Sequence, residues 1–162
     1  MASFDIVSKV DLNEVNNVVN SVNRELSNRY DFKGSKFTIN LNEKENSITI
    51  QAPDNYKLEQ IGQSIKTYSV KRGINPESYE FKDEEKAGGD SLRQNIIIKQ
   101  GIDKDVSKKI NKFIKDKKMK IQSSVRGDEM RVEGKKIDDL QEMMTELKKE
   151  NFGAVLQFIN FR

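Results

Sequence analysis

Apolar residues along this chain switch between a period of two and a period near 3.6, and the order of the switches occurs twice. Ser3-Phe4-Asp5-Ile6-Val7 alternates, as a half-buried strand does. Leu12, Val15, Val18, Val19, Val22 and Leu26 then recur at helical spacing behind Asp11-Leu12-Asn13-Glu14. That tetrad suits a capping box, with Asp11 accepting from early backbone donors and Glu14 reaching back. Phe37, Ile39 and Leu41 alternate, Ile48 and Ile50 follow, and the polar run from Asn42 to Ser47 joins them as a hairpin loop. Leu58, Ile61, Ile65 and Tyr68 predict a second helix stopped by Gly73 and Pro76, and Tyr79 and Phe81 a short closing strand.

The second round opens with Asn95-Ile96-Ile97-Ile98. Asp103 is placed to cap a helix carrying Val106, Ile110, Phe113 and Ile114. Met119 to Val125 alternates into Gly127-Asp128, a two-residue hairpin signal, and Met130 and Val132 return. Ile137, Leu140, Met143, Met144 and Leu147 predict the fourth helix. Val155 to Phe161 closes the chain, with Leu156 and Phe158 expected on one face and Val155, Ile159 and Phe161 on the other. Each round reads strand, helix, strand, strand, helix, strand. The expected class is therefore α+β: two ferredoxin-like (βαββαβ) domains in tandem, an internal duplication with helices on one face of each antiparallel sheet. The expected division is residues 1–87, a Gly88-Gly89 linker at 88–91, and residues 92–162.

Composition narrows the chemistry. The 162 residues contain neither cysteine nor histidine. A Ser-His-Asp triad, a thiol nucleophile and an ordinary zinc site are therefore excluded. Neither a Gly-x-x-x-x-Gly-Lys-Ser/Thr loop nor a Gly-x-Gly-x-x-Gly turn occurs. Asp138-Asp139 and Glu84-Glu85 are adjacent carboxylates, which diverge on a helix and are unconstrained in a linker. No catalytic residue, metal or cofactor is expected. No apolar run is long enough to span a membrane, and no basic-then-apolar leader begins the chain, so a cytoplasmic location is expected.

Charge adds two candidate sites. Residues 1–91 hold 12 basic and 15 acidic side chains, and residues 92–162 hold 17 and 11. Much of the basic excess lies between Lys104 and Lys120. On a helix, Lys108, Lys112 and Lys115 share a face opposite the apolar stripe. That face either tracks phosphates or is simply solvated. The second candidate is Arg29-Tyr30-Asp31-Phe32-Lys33-Gly34-Ser35-Lys36, in a helix-to-strand turn. Arg29, Lys33 and Lys36 offer phosphate donors, and Gly34 permits close backbone approach. Tyr30 and Phe32 either stack on a base or plug the core beneath the turn. Lys33 to Asn40 matches the basic, glycine and one aromatic position of the RNP1 pattern but fails at Ser35, Lys36 and Asn40. Base stacking across the sheet is thus unsupported by motif.

Several blocks together resemble the YajQ-like proteins: Ser3-Phe4-Asp5-Ile6-Val7-Ser8, Tyr30-Asp31-Phe32-Lys33-Gly34-Ser35, Lys71-Arg72-Gly73-Ile74, Lys99-Gln100-Gly101-Ile102, Val125-Arg126-Gly127-Asp128, Asp138-Asp139-Leu140-Gln141 and Leu156 to Arg162. The resemblance runs nearly end to end. Ile137 departs from it where a basic residue is usual, and Val155 where a proline is common. It implies two ferredoxin-like domains that exchange N-terminal strands (3–8 and 92–99 here). It also implies a non-enzymatic nucleotide-binding protein, with a guanine nucleotide, cyclic di-GMP or RNA as ligand and a regulatory role. The alternative is a protein-interaction adaptor whose lysine helix meets an acidic partner.

Overall fold

Three of the four helices begin at an aspartate that accepts a backbone N–H of its own first turn. The computed structural model describes residues 1–162. Asp11 caps α1 (Leu12–Asn28) through Asn13 N at 2.9 Å, and Asp54 caps α2 (Asn55–Lys71) through Lys57 N at 2.8 Å. Asp103 caps α3 (Lys104–Asp116) through Val106 N at 2.8 Å. Each aspartate satisfies a donor that the helix start leaves open. The capping box at Asp11 is only half formed. Glu14 does not reach back; it accepts from Asn17 Nδ2 at 3.4 Å and pairs with Arg72 at 3.3 Å. α4 (Ile137–Lys149) starts after Lys136 with no side-chain cap.

The strands are β1 (Ala2–Val7), β2 (Thr38–Asn42), β3 (Ser47–Ala52), β4 (Tyr79–Phe81), β5 (Glu85–Lys86), β6 (Leu92–Ile98), β7 (Ile121–Arg126), β8 (Glu129–Gly134) and β9 (Gln157–Ile159). They form two antiparallel sheets, ordered β7-β8-β1-β9 and β2-β3-β6-β4, with β5 also against β6. Four helices and two antiparallel sheets make an α+β protein compatible with two tandem ferredoxin-like domains.

The chain divides into two compact units, residues 1–9 with 100–162, and residues 10–99. In the first unit, β1 pairs with β8 (Phe4 opposite Val132) and with β9 (Ile6 opposite Phe158). Its core gathers Phe4 and Ile6 with Ile110, Ile114, Met130, Val132, Met143 and Leu147. In the second, β6 lies between β3 (Ile96 opposite Ile48) and β4 (Ile98 opposite Tyr79). Val18, Val22, Leu26, Ile48, Ile50, Leu58, Ile61 and Ile65 fill the core beneath it. The hydroxyls of buried Ser69 and Tyr79 meet at 2.8 Å there, so neither is left unpaired.

Alternation fails at the end of the chain. Asn160 adopts φ +57°, which rotates the residues after it. Phe158 and Phe161, expected on opposite faces, both approach Phe4, at 5.8 and 6.0 Å between ring centroids.

Candidate functional site

The basic and aromatic segment after α1 folds as one short 3₁₀ turn, Tyr30–Phe32, followed by a glycine corner. Arg29 Nε donates to Asp31 Oδ1 at 3.0 Å and its Nη2 to Asp31 Oδ2 at 2.8 Å. Such a two-pronged pair fixes a guanidinium. It holds the Asp31 carboxyl below its usual range and pushes the Arg29 guanidinium higher still. Nη2 also reaches Gln60 Oε1 at 3.4 Å, on α2. Tyr30 points into solvent, 91% exposed, whereas Phe32 is 2% exposed. Phe32 occupies the core role, packed edge-on to Phe37 at 5.4 Å, with Arg29 and Lys57 each 5.4 Å from its ring centre. Gly34 turns the chain at φ +79°, a conformation that costs other residues strain. Lys33 and Lys36 are exposed on either side of it.

Beyond the corner lies a cavity of about 670 Å³. One wall is Gly34, Ser35, Lys36, Phe37 and Thr38; a second is Gln51 and Pro53 at the end of β3; the third is Gly88, Gly89 and Ser91. The glycine pair expected in the linker also lines this cavity, in the loop that joins β5 to β6. That loop is held in place: Ala87 N donates to Ser91 O at 2.9 Å and Ser91 Oγ to Gly88 O at 2.7 Å. Gln51 Nε2 in turn donates to Ser91 Oγ at 2.9 Å. The Ser91 hydroxyl is engaged both as donor and as acceptor. The hydroxyls of Ser35 and Thr38 and the Gln51 amide oxygen have no hydrogen-bond partner within the protein, and all three residues line the cavity. Two of the sequence-predicted residues, Gly34 and Lys36, line the cavity; Arg29, Phe32 and Lys33 are not part of its lining. Phe37 supplies the aromatic wall instead. Gln51, Pro53 and Ser91 went unread because they are far apart in the chain, and only the Gly88-Gly89 pair marked that region.

The second basic cluster sits on α3. Lys108, Lys112 and Lys115 are exposed opposite the buried Val106, Ile110 and Ile114. None of the three is in an ion pair, whereas Lys117, just past the helix, folds back to Glu146 at 3.5 Å and over the Phe113 ring at 4.9 Å. No helix in the molecule is long and apolar enough to cross a membrane.

Fold and cavity together describe a small α+β protein with a cavity lined by glycine backbone, polar side chains and one aromatic ring. The family model described as nucleotide-binding protein YajQ-like matches residues 2–162, and the chain belongs to that family. It is 51% identical over 162 residues to a protein named as nucleotide-binding from Rhodospirillum centenum, covering all of this chain and 99% of that one. It is 50% identical, with the same coverage, to one from Magnetococcus marinus, and 44% identical to one from Geotalea uraniireducens, both also named as nucleotide-binding.

Proposed function

We propose that this protein binds a nucleotide without transforming it, in the cavity between Gly34–Thr38, Gln51–Pro53 and the Gly88–Ser91 loop. The observation that carries the reading is the meeting of Lys36 and Gly34 with Gly88 and Gly89 around one aromatic wall, Phe37. Glycine backbone lets a phosphate or ribose come close, a lysine supplies the charge, and an aromatic face takes a base. The volume lies within the range of small-molecule sites. Phe32 and Arg29 act from behind, holding Phe37 and the corner, and Lys33 adds attraction at the rim. The names of the relatives support the reading, as does the lack of any histidine or cysteine for a Ser-His or thiol nucleophile. Guanine nucleotides, cyclic di-GMP and RNA are the ligands put forward, in a regulatory role in the cytoplasm.

The pairing of β1 with β8 and of β6 with β3 supports a further part of the proposal: two ferredoxin-like domains that exchange their first strands. A second reading is favoured by one observation, the unpaired Lys108, Lys112 and Lys115 on α3: these contact RNA or, as an adaptor surface, an acidic protein. Titration calorimetry of the wild-type chain and Lys36→Ala with guanine and adenine nucleotides tests the main reading. Binding that falls about tenfold or more in the variant is expected, since a charge-assisted contact of that size is lost. Equal binding by both proteins places the site elsewhere.

A further inference from the structure

We infer that the cavity takes a nucleoside carrying one phosphate group and disfavours a polyphosphate chain; this rests on the nucleotide-binding reading above. Lys36 is the only cation in the lining. No carboxylate lines it, so nothing there is suited to hold the magnesium that usually accompanies a triphosphate. Two acidic residues adjoin lining residues in the chain without lining the cavity themselves. Asp90 lies between the lining residues Gly89 and Ser91 and is exposed. Asp54 follows the lining Pro53, its carboxylate oriented by the α2 cap at Lys57 N. A second and third phosphate would find no lining cation beyond Lys36, and Lys33 supplies charge only at the rim.

The remaining lining fits the other parts of a mononucleotide. Phe37 and Pro53 offer apolar surface for a base, and the free Ser35 and Thr38 hydroxyls and Gln51 amide oxygen offer partners for ribose or base edges. This division, one charge beside a mostly neutral polar and apolar surface, is what a nucleoside monophosphate presents. A terminal residue of a nucleic-acid strand presents the same chemistry.

Calorimetry on the full chain separates the outcomes. The probes are guanosine, GMP, GDP, GTP with magnesium, the adenine series, and a 5′-phosphorylated dinucleotide. Monophosphate binding about tenfold tighter than triphosphate, with Lys36→Ala reducing monophosphate affinity by a similar factor but leaving guanosine unchanged, is the expected result. Tighter binding of the dinucleotide than of GMP assigns the site to a strand end, and the reverse to a free nucleotide. A second variant, Ser35→Lys, adds a cation to the lining and is expected to raise triphosphate affinity relative to monophosphate. Triphosphate binding tighter than monophosphate in the wild-type chain, still weakened by Lys36→Ala, overturns the inference and leaves the nucleotide-binding reading standing. No nucleotide binding by a protein with an unchanged melting curve overturns both.

Discussion

Asp5 Oδ1 accepts from Arg131 Nε at 3.0 Å across 126 positions of sequence, and the bond ties β1 to the strand beside it, β8. Asn160 Nδ2 donates to the other carboxylate oxygen at 2.8 Å, which links β1 to the chain end as well. Asp5 is 6% exposed, so its charge is out of water and depends on these partners. The Arg131 bond holds the Asp5 carboxyl below its ordinary value of 3.8, aided by Asn160 and the Arg162 charge, against burial, which acts the other way.

The acid side of the stability profile follows. A carboxyl with a lowered folded pKa stabilises the fold above its unfolded value and loses that contribution as pH falls through the folded value. Stability is expected to decline below about pH 4 in part through Asp5. Asp5→Asn is expected to lower stability by about 1.5–3 kcal/mol near neutral pH, the worth of hydrogen bonds to a charged group, and to flatten the decline below pH 4. Urea melts of both proteins from pH 2.5 to 7 measure it; a parallel decline in the two assigns the acid sensitivity to other groups.

Tyr79 gives the alkaline side. Burial pushes its phenol above the usual value of 10, against the smaller opposing effect of the Ser69 hydrogen bond. A raised folded pKa stabilises below the unfolded value and is lost as pH rises through the folded one, so stability falls above pH 10. In Tyr79→Phe the Ser69 hydroxyl loses its partner, which costs about 1–2 kcal/mol at pH 7, and the fall above pH 10 is smaller. Melting temperatures at pH 7 and pH 10.5 report both effects.

The element order was legible because apolar periodicity and chain breakers agreed along most of the chain. Asp11 and Asp103 cap the helices they were expected to cap, Asp54 caps α2 without having been singled out, and Gly127-Asp128 forms the two-residue turn its sequence predicts, between β7 and β8. What periodicity does not encode was missed. Asn160 at φ +57° overrides the alternation of the last strand through one backbone angle. Glu14 is drawn away from its cap by Arg72, a partner 58 positions distant. The candidate site was half legible: Gly34 and Lys36 stand out as a local cluster. Gln51 and Ser91 become neighbours only when β3 and β6 pair, and no local signal announces that.

The corner at Gly34 separates fold from binding. A Cβ there meets no atom within 4 Å, so Gly34→Ala carries only the strain of a left-handed backbone, about 1–2 kcal/mol. Phe32→Ala instead empties a core position and is expected to cost about 3–5 kcal/mol. If Gly34→Ala stays folded at 25 °C yet binds nucleotide less well than wild type, the corner is part of the site. A variant that loses stability and keeps its affinity shows a structural corner only.

The loop between β5 and β6 offers a test of strand exchange. A cut at Gly88-Gly89 leaves residues 1–88 without β6, the strand between β3 and β4, and residues 89–162 without β1, the strand between β8 and β9. Each fragment alone then lacks a central strand and exposes Ile48 or Val132 to water. Neither fragment is expected to show a cooperative melt, while the two mixed together are expected to regain one. Independent folding of either fragment, seen by circular dichroism, argues against exchanged strands.

The lysines of α3 are expected to act differently from Lys36. Lys108, Lys112 and Lys115 are exposed and unpaired, with no cavity wall around them. Point charges on long stems attract phosphates without reading a base. If the face binds RNA, replacing one with alanine weakens binding modestly for every sequence and reduces the salt dependence by about one phosphate contact. The triple variant loses strand binding almost entirely and keeps its affinity for a mononucleotide, because the cavity is untouched. Fluorescence anisotropy with labelled RNA from 50 to 200 mM salt, read beside calorimetry with GMP, makes the comparison. Unchanged RNA binding in the triple variant together with unchanged capture of acidic protein identifies α3 as a solvated face. Retained RNA binding together with lost capture of an acidic protein from nuclease-treated extract assigns the face to the adaptor role.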